Sequence, residues 1–116
     1  MRNNNLIGTG VALITPFNSD GSLDLVSLDK LIDYLLMNGV NYFVVLGTTA
    51  ESVNLSILEQ DVIINHVKKK VDNRVPIVLG LGGNNTSEII RRIDTINFEG
   101  IEAILSVSPY YNKPSQ

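Results

Sequence analysis

The sequence contains no cysteine and no tryptophan among its 116 residues, and its only histidine is His66. Without cysteine the chain forms no disulfide and offers neither a thiol nucleophile nor a thiolate ligand for a metal. His66 stands alone inside a helical pattern, so we expect a surface or packing residue there rather than a ligand. The sequence therefore predicts no metal and no cofactor, although sites built from carboxylates stay open.

Long apolar runs and an excess of positive charge are missing too. No apolar run reaches the roughly 20 residues that a membrane-spanning helix needs, and the opening residues, MRNNNLIG, lack the apolar core of a signal peptide. Nine basic and twelve acidic side chains leave a formal net charge of −3, whereas nucleic-acid binding usually needs a concentrated basic surface. We expect a cytoplasmic protein with no membrane and no nucleic acid among its partners.

Four apolar runs of strand length alternate with three helical patterns. The predicted strands are residues 10–17 (GVALITPF), 41–47 (NYFVVLG), 75–82 (VPIVLGLG) and 101–109 (IEAILSVSP). Continuous apolar strands in a β-α-β-α-β-α-β order predict a parallel sheet that is buried on both faces.

The three predicted helices have apolar stripes and capping residues. The first stripe is Leu28, Leu31, Ile32, Leu35 and Leu36, ending at Gly39. The second helix opens with a Ser56–Glu59 capping box and carries Leu58, Val62, Ile63 and Val67. The third is capped by Asn85 and Glu88, carries Ile89, Ile93 and Ile96, and ends at Gly100.

Unusual residues follow every predicted strand at its carboxyl end, namely TPF, GTTAES, GLGGNNTSE and SPYYNKPSQ. An open doubly wound sheet that binds a nucleotide should carry a glycine-rich phosphate turn after its first strand, and TPFNSDGS is not such a turn. The pattern therefore favours an α/β fold of the (β/α)8 TIM-barrel type. Four strands and three helices are about half of that barrel. Residues 1–116 are thus expected to be the amino-terminal half of a barrel domain, truncated after strand 4.

Hydroxyl and carboxyl groups after the second strand are the first candidates for chemistry. Thr48 and Thr49 offer hydroxyl and backbone N–H donors that suit a small carboxylate, and Thr48 could relay a proton to a nearby tyrosine. The alternative is that they satisfy only the backbone of their own loop. Glu51 could be a base, but a structural role accepting loop N–H bonds is the stronger interpretation.

Two adjacent tyrosines follow the fourth strand. Tyr110 and Tyr111 are costly to bury without hydrogen-bond partners, so one pointing into the rim would be a proton donor, and the alternative is packing against a loop or a subunit. None of the lysines, including Lys113, lies inside a strand pattern. A lysine that forms a Schiff base needs a desolvated site, and these residues supply none.

GTTAES together with SPYYNKPSQ resembles the family of 4-hydroxy-tetrahydrodipicolinate synthases, also called dihydrodipicolinate synthases. GVALITPF, LIDYLLMNGV and VPIVLGLGGNNTSE fit that family in register. The resemblance implies a (β/α)8 barrel, a homotetramer built as a dimer of dimers, and a lyase of lysine and diaminopimelate biosynthesis. Such an enzyme condenses pyruvate with aspartate semialdehyde through a Schiff base on a lysine of a later strand.

The resemblance also implies roles for individual residues. Thr48 would contact pyruvate and belong to a proton relay, Thr49 would help hold the pyruvate carboxylate, and Tyr111 would reach across a dimer into the partner's active site. A site for a lysine effector would be formed by Ser52, Asn84, Glu88 and Tyr110. Ile57 and Gln60 replace histidines of several lysine-sensitive relatives, which predicts weak regulation.

Two departures from the family limit what the resemblance implies. Ala50 stands where the family usually has glycine, so the turn must avoid a positive φ there or tolerate it. The sequence ends at Gln116, without the Schiff-base lysine or the second relay tyrosine. The reaction is therefore assigned to a longer parent enzyme, and residues 1–116 alone are expected to be inactive. The alternatives are an N-acetylneuraminate lyase-like or other pyruvate-dependent aldolase, and a non-catalytic half-barrel that serves as a binding module.

Overall fold

Residues 4–111 are described by the structure, a computed structural model, and form strands and α-helices in strict alternation. The strands are β1 (Gly10–Ala12), β2 (Tyr42–Val45), β3 (Ile77–Gly80) and β4 (Ala103–Leu105). The helices are α1 (Leu25–Met37), α2 (Ile57–Val71) and α3 (Thr86–Thr95). The predicted order of elements is confirmed. No α-helix among these residues is both long and apolar enough to cross a membrane.

The strands form one parallel sheet in the order β1-β2-β3-β4. A doubly wound sheet reverses its strand order at a switch point, and this sheet has no reversal over the described residues. Each strand adds to the same side of the preceding one, as in a barrel that closes on itself. The predicted partial (β/α)8 barrel is therefore the architecture that the structure has.

The main core lies between the helices and one face of the sheet. Phe43, Val45, Ile77 and Leu79 alternate along β2 and β3 and join one apolar cluster with residues of α1 and α2. Val44, on the opposite face of β2, is only half-buried. The expected burial of both faces is thus wrong for β2, and among the four described strands only β3 has a continuous run of buried side chains, at 77–79.

Helix α1 ends where its sequence predicts, and it begins at Leu25, one turn before the predicted stripe. The Asp24 carboxylate caps it by accepting from the Ser27 backbone N–H at 2.9 Å, and the Ser27 hydroxyl adds a second bond. These two bonds, the hydroxyl's above all, hold the pKa of Asp24 below its ordinary value. At the other end Gly39 takes a φ of +81°, the left-handed conformation that a glycine adopts at low cost.

Helix α2 has the predicted capping box but a different buried stripe. The Ser56 hydroxyl accepts from the Glu59 backbone N–H, and the Glu59 carboxylate accepts from the Ser56 N–H. Leu58 and Val62 were predicted to face the core and are exposed instead. The helix turns its buried face to Ile63, Ile64, Val67 and Val71. Toward α1, His66 Nε2 lies 2.6 Å from Asp29 Oδ1.

Helix α3 is shorter than predicted and has only one of its two predicted caps. Asn85 accepts from the backbone N–H groups of Ser87 and Glu88, whereas the Glu88 carboxylate caps nothing in the described chain. The last helical residue is Thr95, and Gly100 lies in the turn before β4 with a φ of +80°.

We expect Ser56→Ala to lower the free energy of unfolding by about 0.5–2 kcal/mol, because it removes the side-chain acceptor of the capping box. Ser87→Ala is the matched control, since Ser87 is exposed in the first turn of α3 and its hydroxyl makes no bond within residues 4–111. Urea unfolding followed by circular dichroism measures both. Equal losses in the two variants would contradict the prediction.

Candidate active site

The loop from β2 to α2 turns sharply at Leu46. Leu46 is buried and has a φ of 58°, a left-handed conformation that is costly for a side chain branched beyond Cβ. Gly47 follows in extended conformation and precedes a single 3₁₀ turn at Thr48–Ala50. The sharp turn therefore falls one residue before the glycine, and it sends the two threonines to the carboxyl end of the sheet.

Ala50 stands where the family usually has glycine, but its backbone does not have a positive φ. It lies buried inside the 3₁₀ turn, and the left-handed conformation falls on Glu51, with a φ of 56°. The Glu51 backbone carbonyl accepts from the Asn54 N–H at 2.9 Å. Its exposed carboxylate accepts no bond from residues 4–111, so the predicted structural role of that carboxylate is wrong for the described part of the chain.

Thr48 and Thr49 present donors that the described protein does not use. Both side chains are exposed, and neither hydroxyl bonds to any residue between 4 and 111. Their backbone N–H groups likewise have no acceptor there, because the turn's own bonds run from Ala50 N–H to Gly47 O and from Glu51 N–H to Thr48 O. In the described residues, therefore, the two threonine hydroxyls do not bond to the backbone of their own loop.

Thr48 borders a cavity of about 660 Å³ at the carboxyl ends of β2, β3 and β4. Its other lining residues include Leu46, Ser106, Val107 and Tyr110. Ser106 was not selected from the sequence, although its place just past β4 could have indicated it. A small carboxylate in this cavity would find Thr48 at its edge and an otherwise mostly apolar wall.

A second cavity, of about 250 Å³, lies between the same loop and the start of α3. The four residues predicted for an effector site all line it: Ser52, Asn84, Glu88 and Tyr110. Ser52 and Tyr110 line the larger cavity too, so the two cavities share a wall. The fold thus brings these residues, which lie far apart in sequence, together at one cavity.

Two further lining residues of the second cavity stand where the family resemblance places histidines in several lysine-sensitive relatives. Ile57 and Gln60 line it, as their predicted positions require. The Gln60 amide group donates to Ser52 O at 3.2 Å and to Leu55 O at 3.4 Å, so its donors are already engaged by the loop. Gln60 therefore stabilises the loop and has less to offer a ligand.

Arg92 is the residue of this cavity that sequence reasoning missed. It is only 7% exposed, and its Nη2 lies 2.6 Å from Asp61 Oδ1 on α2. Its Nε is fully buried without a partner within residues 4–111. The signal was a basic residue one turn after Glu88, directly before Ile93 of the predicted apolar stripe.

Tyr110 and Tyr111 have different environments. Tyr110 lies at the wall that the two cavities share. Tyr111 is 96% exposed and has a φ of 79°. Thr49 and Tyr111 line neither cavity, so the structure does not bring Tyr111 together with Thr48.

Among residues 4–111, no lysine is buried, and no group of three or more histidine, cysteine, aspartate and glutamate residues is placed to hold a metal ion. Lys70 Nζ lies 2.8 Å from Asp33, and Lys68 donates to Asn97 O. Lys113 and the rest of the motif at 112–116 lie outside the described residues.

A sequence model of the dihydrodipicolinate synthetase family matches residues 5–116. The chain belongs to that family. It is 58% identical over 112 residues to a 4-hydroxy-tetrahydrodipicolinate synthase of Parabacteroides distasonis. The alignment covers 97% of this chain and 38% of the relative.

Solved structures of the family have the same fold. The chloride-inhibited dihydrodipicolinate synthase of Acinetobacter baumannii, complexed with pyruvate, aligns with a TM-score of 0.87 and 39% identity, over 93% of this chain and 37% of that one. The Thermotoga maritima dihydrodipicolinate synthase aligns with a TM-score of 0.86 and 39% identity, over 93% and 36%. The chain thus spans under two-fifths of the length of these relatives, including the Parabacteroides distasonis enzyme at 38%.

Proposed function

We propose that these residues form the amino-terminal half of the barrel of a class I aldolase-type synthase. The enzyme condenses pyruvate with aspartate semialdehyde on the route to diaminopimelate and lysine, which favours a cytoplasmic location. Pyruvate forms a Schiff base with a lysine outside residues 1–116. These residues supply the pyruvate-binding turn at Thr48 and Thr49 and part of the proton relay, and alone they are inactive.

The observation that carries this proposal is the set of unused donors at the turn. The Thr48 and Thr49 hydroxyls and N–H groups find no acceptor among the described residues, and Thr48 borders the larger cavity. A carboxylate in that cavity would accept bonds that the folded chain leaves unmade, and charge-assisted bonds are among the stronger ones. The Acinetobacter baumannii relative, 39% identical, is complexed with pyruvate, which supports the same ligand here.

A role for Tyr111 in a neighbouring subunit is consistent with its surroundings. The side chain is 96% exposed on its own chain and lines neither cavity. Its left-handed backbone at φ 79° stores strain, and strained residues cluster at functional sites. We propose that Tyr111 completes the proton relay of a partner subunit in a dimer, two of which form a homotetramer.

The smaller cavity is proposed as a weak site for a lysine effector. Glu88 supplies a negative charge for an ammonium group, and Asn84, Ser52 and Tyr110 supply hydrogen-bonding groups. The engagement of Gln60 with its own loop reduces the polar lining that a ligand could use.

The experiments below use the full-length form, by which we mean a polypeptide of the relatives' length that contains residues 1–116. In it we expect Thr48→Val to keep pyruvate binding and to lower turnover by about 10²–10⁴-fold, because positioned proton transfer contributes about that much. Borohydride trapping of the pyruvate imine measures binding, and a coupled assay with aspartate semialdehyde measures turnover.

Three controls belong to this prediction. Thr49→Val should instead raise the KM for pyruvate, and the 116-residue chain alone should give no borohydride adduct. Sialic acid should not be cleaved by the unaltered enzyme. Unchanged turnover in Thr48→Val would mean that Thr48 is only a turn residue, and cleavage of sialic acid would favour the lyase alternative.

Tyr111→Phe should reduce turnover to a similar degree, because it removes the phenolic proton. If Tyr111 acts in the partner's site, mixing this variant with Thr48→Val should restore part of the activity, since one site of each heterodimer then has both intact groups. Activity is measured after native mass spectrometry has established subunit exchange. No recovery after exchange would contradict a role across the dimer.

Lysine should inhibit the full-length form weakly and incompletely. An unpaired polar group facing a ligand costs about 1–3 kcal/mol, enough to weaken binding about tenfold or more. Titration with L-lysine should therefore give weak inhibition that Glu88→Ala abolishes. Glu99→Ala is the matched control, because Glu99 is exposed and lies outside this cavity. Tight, complete inhibition would contradict the weakened site, and no calorimetric binding at high lysine would contradict the site itself.

A further inference from the structure

Thr15 is a buried hydroxyl residue that the proposed mechanism does not use. It lies beyond the end of β1, in the segment TPF that follows the strand, and is 7% exposed. Its Oγ1 donates to the backbone carbonyl of Ala50 at 2.7 Å, across 35 residues of sequence. The last backbone bond between these segments is from Leu13 N–H to Val44 O, so the Thr15 bond continues the β1–β2 contact where the ladder has stopped.

The carbonyl that Thr15 contacts belongs to the turn that carries Thr48 and Thr49. Ala50 is buried and ends that turn, and no backbone N–H of the described chain bonds to its carbonyl. A buried carbonyl without a partner is destabilising. Among residues 4–111, the Thr15 hydroxyl is therefore the donor that satisfies this carbonyl and fixes the end of the turn from outside the loop.

The same turn lies between two residues with left-handed backbones, Leu46 at φ 58° and Glu51 at φ 56°. Residues other than glycine persist in that conformation only where their surroundings hold them. On the far side, Gln60 bonds to the carbonyls of Ser52 and Leu55. On the near side, among residues 4–111, Thr15 is the side chain that bonds to the turn.

We infer that Thr15 is a positioning residue, which holds the Thr48–Ala50 turn so that Thr48 stays at the edge of the larger cavity. This inference rests on the proposed function for its catalytic consequence, but the tether itself does not. Because small displacements of positioning groups lower rates strongly, loss of the Thr15 hydroxyl should lower catalysis even where the fold persists.

The test compares Thr15→Ser with Thr15→Ala in the full-length form. Both variants lose the methyl group, and only the serine variant keeps the hydroxyl. We expect Thr15→Ser to retain most of the unaltered kcat/KM for pyruvate and Thr15→Ala to lose about 10–100-fold. Thr15→Val, which keeps the shape and removes the donor, should behave like the alanine variant.

Leu13→Val is the control for general destabilisation. Leu13 is buried two residues before Thr15 and contributes packing without a side-chain hydrogen bond. The Leu13→Val variant should have a lower melting temperature than the unaltered enzyme and a similar kcat/KM. Activity is measured well below the melting temperature of every variant. Equal losses of activity in Leu13→Val and Thr15→Ala would overturn the inference.

Hydrogen exchange of the peptide covering residues 46–55 gives a readout that does not need activity. Exchange should rise in Thr15→Ala and Thr15→Val, and not in Thr15→Ser. If the unaltered enzyme performs no condensation, the proposed function fails, and the tether is judged on exchange alone. Unchanged exchange in Thr15→Ala and Thr15→Val would overturn the tether. Full activity retained in these two variants would overturn the positioning role.

Discussion

The close approach of the Leu46 carbonyl to Gly80 is the contact on which the candidate site depends. A Cβ at position 80 would meet the carbonyl oxygen and carbon of Leu46, so the left-handed turn after β2 has room only because β3 ends in glycine. The constraint at Gly82 is weaker, because a Cβ there would meet mainly the Val107 side chain after β4. Gly80 therefore allows the close approach of the loop after β2 to the end of β3, and both cavities are bordered by this contact.

A shared wall follows from this geometry and connects the proposed catalytic and effector sites. Leu46, Ser52, Gly82 and Tyr110 border both cavities. A ligand that displaces this wall from the smaller cavity must change the larger one, because the same backbone forms both boundaries. Coupling between the sites therefore needs no long path through the barrel. What it does need is a wall with two arrangements of different ligand affinity.

Local sequence signals predicted the elements and the edge of the sheet that bears the site, whereas long-range contacts determined the rest. The Ser56 capping box involves only neighbouring residues and could be found from sequence. The exposure of Leu58 could not, because the packing of the whole helix selects one of two adjacent stripes. The buried Arg92 depends on Asp61 of another helix. The left-handed backbone of Leu46 has no residue-type signal at all, since the space that permits it lies at Gly80.

The hydrogen bonds around the turn are distributed unevenly, and this favours a binding role over a merely structural one. Two carbonyls at its end and just beyond it accept side-chain bonds: Ala50 O from Thr15, and Ser52 O from Gln60. Its hydroxyl and N–H donors at Thr48 and Thr49 have no acceptor in the described chain. Holding these two acceptors while leaving the Thr48 and Thr49 donors exposed prepares the turn for an anionic ligand, because the donors need little reorganisation when the ligand binds.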